Sequence, residues 1–189
     1  WDRQFAPLAG AGKVIGTLRA DLARATGLSP ATRIHAGLHD SNAALLAVRG
    51  HPVLAGHDAT VLSTGTWFIA MRSPLARVGA GLLPEDRDCL VNVDVAGQPL
   101  PSARFMGGRE IELALRPGDG RVDLAADQPA LLGAVPAVLA SGAMLCPTLA
   151  PGTGPFPASR ARWIGEPADP DAHRAAICLY AALVADASL

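Results

Sequence analysis

The order of hydrophobic and polar positions predicts a helix near the start of the chain. In residues 14–28 the apolar side chains of Leu18, Leu22 and Ala25 follow one another at i, i+4 and i+7, a spacing that places them on one helix face. Gly27 comes two residues after Ala25 and supplies a C-terminal stop. We therefore expect an amphipathic helix over residues 14–28.

A short strand and a second helix come next. Residues 34–38 form an apolar run typical of a short buried strand, and residues 42–48 predict a helix. Asp40 or Ser41 suits its N-cap, and Gly50 lies just beyond its end. Asp40 thus follows the carboxyl end of a strand and precedes a helix N-terminus, which is where ligands collect in open α/β sheets.

The middle of the chain has the patterns of strands and turns. Two apolar runs, residues 60–63 and 67–72, flank a turn of small residues and predict a strand–turn–strand unit. Residues 89–95 alternate polar and apolar side chains with a period of two, which predicts a strand with one polar face, and residues 97–99 predict a turn.

Helical patterns dominate the last part of the chain. Residues 109–115 predict a helix, residues 117–130 a polar loop, residues 143–147 a short strand and residues 150–157 a Pro/Gly-rich loop. Residues 171–187 predict a helix that is apolar nearly all round and therefore buried. No internal repeat is evident.

Composition limits the classes of function. The 189 residues are 50% hydrophobic and 17% charged with a net charge of -1, which is typical of a soluble globular protein. Without a basic excess we expect no nucleic-acid partner and no anionic membrane surface. The longest apolar run, residues 175–185, is too short to span a bilayer, and no signal peptide is evident.

The cysteines indicate a reducing compartment. Cys89, Cys146 and Cys178 are far apart and show no CxxC spacing, so we expect reduced cysteines of a cytoplasmic protein rather than disulfides or a zinc site. The chain opens at Trp1 without an initiator Met and stops at Leu189 within a helical run, which indicates a fragment of a longer protein.

Residues 49–59, rich in Gly, Pro and His, are the best candidate for a domain boundary. They predict a first unit at residues 1–50, a linker or hinge at residues 51–59 and a second unit at residues 60–189.

Asp40 is the first candidate for chemistry. A carboxylate here can accept the proton of a substrate hydroxyl during attack on a phosphorus atom. The alternative is that Asp40 only caps the following helix, since Asp is a preferred capping residue.

The turn Ser63-Thr64-Gly65-Thr66 is the second candidate. Gly65 lets the backbone approach a phosphate closely, and successive N–H groups with the Thr hydroxyls replace its hydration. The alternative is an ordinary hairpin turn. No GxxxxGK[ST] motif occurs, so the turn is not a P-loop.

Two further clusters allow more than one interpretation. Gly107 and Gly108 at a helix start suit either a nucleotide lying close to the backbone or a loop that needs positive φ, and the neighbouring Arg104 and Arg109 are interpreted as surface charges. His35 and His39 with Asp40 suggest a metal-dependent hydrolase, but Gly37 argues against the helix that would bring both imidazoles to one face. We prefer His39 as a substrate contact.

Taken in order, these segments resemble the FGGY family of carbohydrate kinases. The segment Gly37-Leu38-His39-Asp40-Ser41-Asn42-Ala43-Ala44 is similar to the family's Gly-x-x-Asp-x-x-Ala-Ala motif, and Ser63-Thr64-Gly65-Thr66-Trp67 to its phosphate-binding hairpin. Phe105-Met106-Gly107-Gly108 falls where the family places a glycine near the nucleotide, and residues 145–163 resemble its Pro-x-x-x-Gly-x-x-x-Pro loop.

The resemblance implies an α/β chain with the actin-like ATPase (ribonuclease H-like) fold, here a partial two-domain kinase. Residues 1–50 would end the first domain, with its catalytic base, and residues 60–189 would form part of the nucleotide-binding domain. The first-domain phosphate motif would precede Trp1, and the adenosine-binding glycine cluster would follow Leu189.

The same resemblance implies the activity and its cofactors. ATP with Mg²⁺ would phosphorylate a hydroxyl of a ketose or polyol such as rhamnulose, fuculose, xylulose, ribulose or erythrulose. The implied roles are Asp40 as base, His39 and Ser41 as substrate contacts, and Thr64, Gly65, Thr66, Gly107 and Gly108 as nucleotide contacts, with no metal ligands assigned. The competing hypothesis is a non-catalytic kinase remnant, held together by self-association as a homodimer.

Overall fold

The computed structural model of the chain describes residues 4, 6–7, 9–73, 83–119 and 124–188. In chain order, the described elements are strand β1 (Val14–Thr17), helix α1 (Ala20–Thr26), strand β2 (Arg33–His35), helix α2 (Asp40–Arg49), strands β3 (Ala59–Ser63), β4 (Phe68–Ser73), β5 (Cys89–Val93) and β6 (Pro99–Phe105), helices α3 (Gly107–Ala114) and α4 (Leu124–Ser141), strands β7 (Met144–Cys146) and β8 (Arg162–Ile164), and helix α5 (Pro170–Ser188).

A four-stranded antiparallel sheet in the order β3-β4-β6-β5 organises the fold. Successive side chains of a strand point to opposite faces, so each strand contributes to both sides. One face packs on α2 in a core formed by Leu45, Val61, Met71 and Leu100. On the other face, Phe105 packs against α5 through Ile177, Tyr180 and Val184. The sheet therefore carries helices on both sides.

Two smaller layers complete the described structure. Helices α4 and α5 pack together through Leu131, Val138, Ala175 and Ala176. Strands β7 and β8 form an antiparallel pair, as do β1 and β2. The predicted single helix over residues 14–28 is wrong in its first part, because the β-branched start of that segment pairs with β2, and the helix begins only at Ala20. Its end at Gly27 is confirmed.

The segment that carries Asp40 departs from the prediction in its bounds and in its burial. All three residues of β2 are exposed, so the expected buried strand is wrong. Strand β2 ends at His35, because Gly37 has a φ of 75° and turns the chain towards α2. Helix α2 starts at Asp40, and its N-cap is His39 rather than Asp40 or Ser41.

Several elements differ from the sequence prediction. The polar loop expected over residues 117–130 is wrong from Leu124 onwards, where α4 begins, and strands β6 and β8 were not predicted. Helix α3 starts at Gly107, two residues earlier than expected. Helix α5 is confirmed, but the side chain of Leu183 is exposed, so it is not buried all round.

The predicted boundary region holds a short 3-10 turn, Pro52–Leu54. Helix α2, which precedes this turn, packs on the sheet that follows it through Leu45. Cys89, Cys146 and Cys178 are free thiols. In the described part of the chain, no helix combines the length and apolar character that crossing a membrane needs.

Candidate functional site

The start of α2 and the loop between β3 and β4 face each other across one cleft of about 360 Å³. The residues that line it are His39, Asp40, Ser41, Ser63, Thr64, Gly65, Thr66, Trp67, Ile69 and Arg104. The structure thus brings together the two segments that the sequence singled out separately, the carboxylate at the helix start and the Thr-Gly-Thr turn.

Contacts of α2 with the sheet fix the position of Asp40. Leu45 is inserted in the core on the sheet face, and the side-chain amide of Asn42 donates to the carbonyl oxygen of Val93 in β5. Near the other end of α2, Arg49 forms an ion pair with Asp94 at 3.5 Å. The first turn of α2 is therefore tied to the same sheet that supplies the loop across the cleft.

The two carboxylate oxygens of Asp40 have different surroundings. Oδ1 accepts the backbone N–H of Ser41 at 2.6 Å and its hydroxyl at 3.3 Å, and it lies 2.8 Å from Nδ1 of His39. Oδ2 has no partner among the described residues, and the Asp40 side chain is 88% exposed. One oxygen is held, and the other is open to accept a proton from a ligand.

His39 orients this carboxylate through Nδ1. The same nitrogen lies 3.3 Å from the N–H of Ser41, but one ring nitrogen cannot accept that bond and also donate to Asp40. With a proton on Nδ1, His39 donates to the Asp40 carboxylate at 2.8 Å, and without one it accepts the Ser41 N–H as the N-cap of α2. Ser41 is only 3% exposed, so it contributes to the cleft mainly by holding Asp40.

The β3–β4 loop offers unpaired backbone donors. The two strands pair as far as Ser63 and Ile69, and the residues between them are released from the ladder. The N–H groups of Gly65 and Thr66 donate to no acceptor among the described residues. Successive free N–H groups beside threonine hydroxyls suit an anion such as phosphate.

Gly107 and Gly108 are needed for the packing of α3 on this loop. A Cβ on Gly108 would lie 2.0 Å from the carbonyl oxygen of Gly65, and one on Gly107 would lie 2.5 Å from the ring of Phe68. The N–H of Arg109 also donates to the carbonyl oxygen of Thr66 at 3.4 Å. Neither glycine has a positive φ, so the alternative of a loop with positive φ is wrong, and the close approach of α3 to Phe68 and Gly65 explains both residues.

A buried carboxylate that the sequence analysis missed holds α3 in place. Glu110 is 1% exposed, accepts the N–H of Ala150 at 3.0 Å, and accepts the hydroxyl of Tyr180 in α5. Burial and this hydrogen bond to the carboxylate raise the pKa of Tyr180, burial having the larger effect. A Glu on a short helix looks solvated in the sequence, and no local signal marks its burial.

Arg104 is a second residue whose position in the cleft the sequence analysis missed. It was interpreted as a surface charge, and its side chain is exposed, but it also lines the cleft. Its Nε donates to Asp88 at 2.9 Å, and its guanidinium carbon lies 5.1 Å from the ring centroid of Trp67. Had β6 been recognised as a strand, its alternation would have placed Arg104 on the same face as the buried Leu100.

Two other residues that the sequence analysis considered, Arg109 and His35, do not line the cleft. Arg109 pairs with Glu112 at 3.4 Å on the exposed side of α3. His35 contacts the carbonyl oxygen of Gly12 through Nδ1 at 2.8 Å. Within the described ranges, no group of three or more His, Cys, Asp and Glu side chains is arranged to hold a metal ion.

Comparisons with known proteins identify the family that this chain resembles. The sequence profile described as "Carbohydrate kinase FGGY, C-terminal domain" matches residues 56–189. The crystal structure of a carbohydrate kinase from Novosphingobium aromaticivorans superposes with a TM-score of 0.83 and shares 59% sequence identity over 100% of this chain. A comparison with proteins of curated function found no match.

The chain spans 40% of the length of the Novosphingobium kinase. The matching C-terminal domain belongs to the actin-like ATPase fold, and the described elements are a mixture of helices and strands. The fold class predicted from the sequence, a partial α/β kinase, is confirmed.

Proposed function

This chain belongs to the FGGY family of carbohydrate kinases, and we propose that the protein of which it forms part transfers the γ-phosphoryl group of ATP to a hydroxyl of a ketose or polyol. The observation that carries this proposal is the shared cleft, which is lined both by Asp40, with one open carboxylate oxygen, and by the loop with free N–H groups. Phosphoryl transfer to an alcohol needs both a proton acceptor and a phosphate cradle in one place.

Asp40 is the general base in this proposal. Its Oδ2 accepts the proton of the attacking hydroxyl, while the contacts of Oδ1 with His39 and Ser41 keep the carboxylate in one orientation. General-base catalysis of this kind contributes a factor of about 10² to 10⁴ to a rate. His39, whose side chain is largely exposed in the cleft, contacts the acceptor sugar.

The β3–β4 loop holds the phosphates of the nucleotide. Phosphate oxygens need hydrogen-bond donors, and the loop supplies them through the free N–H groups of Gly65 and Thr66 and the hydroxyls of Thr64 and Thr66. The donors of the loop therefore fit the phosphates of ATP. Mg²⁺ supplies charge neutralisation when it is bound, and oxygen donors such as these hydroxyls are the ligand type that it accepts. Gly107 and Gly108 support this loop and bring α3 beside the nucleotide.

The remaining parts of the proposal concern the whole protein. Residues 1–50 end a sugar-binding domain, residues 51–59 act as the hinge, and residues 60–189 belong to the nucleotide domain. Closure about this hinge would exclude water from the cleft and complete the site. The free cysteines fit a cytoplasmic location.

One experiment tests the activity and the acceptor class together. The longest reading frame that contains this chain is expressed, and a panel of ketoses and polyols is screened by coupled release of ADP. We expect turnover with at least one member of the panel. ATP binding without turnover on any member would contradict the acceptor class, and phosphorylation of a non-sugar alcohol would replace it.

The 189-residue chain is the matched control for this screen. Because it spans 40% of the solved kinase that it matches, we expect it to show no measurable turnover. The second candidate, a non-catalytic remnant, predicts that the longer protein is also inactive, so turnover by the longer protein separates the two candidates. Turnover by the 189-residue chain alone would contradict the proposed division of the site.

A further inference from the structure

One positive charge lies in the wall of the cleft. Arg104 is in β6, four residues after the buried Leu100 and therefore on the same face of the strand, the face on which α2 packs. Its side chain is 46% exposed. Among the described residues that line the cleft, it is the single Lys or Arg.

The guanidinium of Arg104 is held along one edge. Its Nε donates to Oδ1 of Asp88, and Oδ2 of the same carboxylate accepts the N–H of Gly154 at 3.3 Å. The ring of Trp67 lies close enough for a cation–π contact. These contacts restrict the side chain before any ligand arrives.

The other edge of the guanidinium remains available. The terminal nitrogens Nη1 and Nη2 have no hydrogen-bond partner in the part of the chain that the structure describes. They carry four N–H donors in a planar arrangement that matches two oxygens of a phosphate. A Lys at this position would supply the charge without the paired donors.

The charge balance of the cleft favours a phosphoryl ligand for these donors. The loop offers neutral N–H groups and hydroxyls, and Asp40 adds a negative charge. A transferring phosphoryl group spreads negative charge over its oxygens, and fixed cations stabilise that charge strongly in phosphoryl transfer.

We propose that Arg104 binds the terminal phosphate of the nucleotide through Nη1 and Nη2, held in place by Asp88 and Trp67, and stabilises the phosphoryl group during transfer. This inference rests on the proposed kinase function. It assigns the charge neutralisation to a side chain of this domain rather than to the loop alone.

The test compares three variants of the longest reading frame that contains this chain: Arg104→Gln, Arg104→Lys and, as matched control, Arg72→Gln. Arg72 lies in the same sheet and donates to Asp58 at 3.2 Å, but it does not line the cleft. Calorimetry measures the affinity for ATP and for adenosine, and coupled ADP release measures kcat and both KM values. Melting temperatures establish that each variant is folded.

We expect Arg104→Gln to weaken ATP binding by about 10- to 100-fold, the loss typical of a hydrogen-bonded charge contact, with adenosine affinity unchanged. Its kcat falls as well, while the KM of the acceptor stays within about twofold of wild type, since the contact is to phosphate. Arg104→Lys recovers part of the ATP affinity, and Arg72→Gln behaves as wild type.

Three results would overturn the inference. Equal ATP affinity and kcat in Arg104→Gln and wild type would show that the ion pair with Asp88 is only structural. A change confined to the KM of the acceptor would assign Arg104 to the sugar. A wild-type protein that binds no ATP would overturn the proposed function itself. This result can be told apart from the other two because it is seen in the wild-type protein and not only in a variant. If Arg104→Gln does not fold, the ATP affinity and kcat of Arg104→Lys are compared with those of wild type instead. Values equal to wild type would overturn the inference.

Discussion

The carboxyl group of Glu110 shows how single contacts support the cleft from behind. A buried carboxylate is costly unless donors surround it, and Glu110 has the N–H of Ala150 and the hydroxyl of Tyr180. These bonds connect α3, which packs on the β3–β4 loop, to the loop at residue 150 and to α5. Glu110 is therefore a positioning residue for the cleft, although it does not line it.

Tyr180 gives this contact a pH-dependent signature. Its pKa is raised above the ordinary value of 10.0, so the folded chain keeps the phenol neutral at a pH where the unfolded chain ionises it. The contribution to stability is complete below about pH 10 and is lost as the pH rises towards the folded-state pKa. The 189-residue chain has one tyrosine, so tyrosinate absorbance reports on Tyr180 alone.

We predict that tyrosinate absorbance appears only together with the loss of helical circular dichroism as the pH is raised. Tyr180→Phe should lower the free energy of unfolding at neutral pH by about 1–3 kcal/mol, because Glu110 loses a donor. It should also weaken the fall in stability above about pH 10. Reversible ionisation of Tyr180 near pH 10 in a folded chain would contradict this account.

The residues of the candidate site were predictable to different degrees. Asp40 and the Thr-Gly-Thr turn stand in recognisable local patterns, and the structure places them in one cleft. Arg104 and Glu110 were not predictable, because their roles depend on which face of β6 and which side of α3 become covered. Those facts follow from tertiary packing, and the residues next to Arg104 and Glu110 in the sequence do not indicate it.

At the scale of elements, the contact between α3 and the β3–β4 loop supports one wall of the cleft. Helix α3 approaches the loop so closely that its first residues have no room for a side chain. The backbone bond from Arg109 to Thr66 then ties the two elements. Any displacement of α3 should therefore move the loop that faces Asp40.

We predict that Gly108→Ala disrupts this contact, because its Cβ would lie 2.0 Å from the carbonyl oxygen of Gly65. The expected cost is about 1–3 kcal/mol of unfolding free energy, the usual range for overpacking. Gly133→Ala in α4 is the matched control: a Cβ there meets nothing within 4 Å, so stability should rise by up to about 1 kcal/mol. Denaturant unfolding measures both, and an equally stable Gly108→Ala variant would refute the tight packing.

Two of the elements that the sequence analysis missed, α4 and β6, share a physical cause. Helix α4 contains Pro129 and Pro136, which argue locally for a loop, yet packing on α5 stabilises the helix. Strand β6 contains Pro99 and Pro101, which pair with β5 only, while β4 pairs with the part of β6 from residue 102 onwards. Among the described residues, the prolines thus lie where only one side of the strand has a partner, a position that local rules cannot assign.

At the scale of the whole molecule, the described residues form a four-stranded sheet with helices on both faces, and a cleft lies at the start of α2. The family and the fold class were predictable because several weak motifs occur in the right order over nearly the whole chain. The domain division was predicted from composition alone, and the packing of Leu45 on the sheet shows how closely α2 is joined to the segment after residue 59. The chain spans 40% of its solved relative, so activity belongs to the longer protein in the proposal.

The most direct test of the central claim is the kcat of Asp40→Asn in the longest reading frame that contains this chain, measured with the best acceptor. Asp21→Asn is the matched control, since Asp21 also lies in the first turn of a helix but outside the cleft. We predict that Asp40→Asn lowers kcat by about 10² to 10⁴ with ATP affinity unchanged, because the carboxylate takes a proton from the acceptor and does not hold the nucleotide. A kcat for Asp40→Asn close to those of wild type and Asp21→Asn would contradict the assignment of Asp40 as the base.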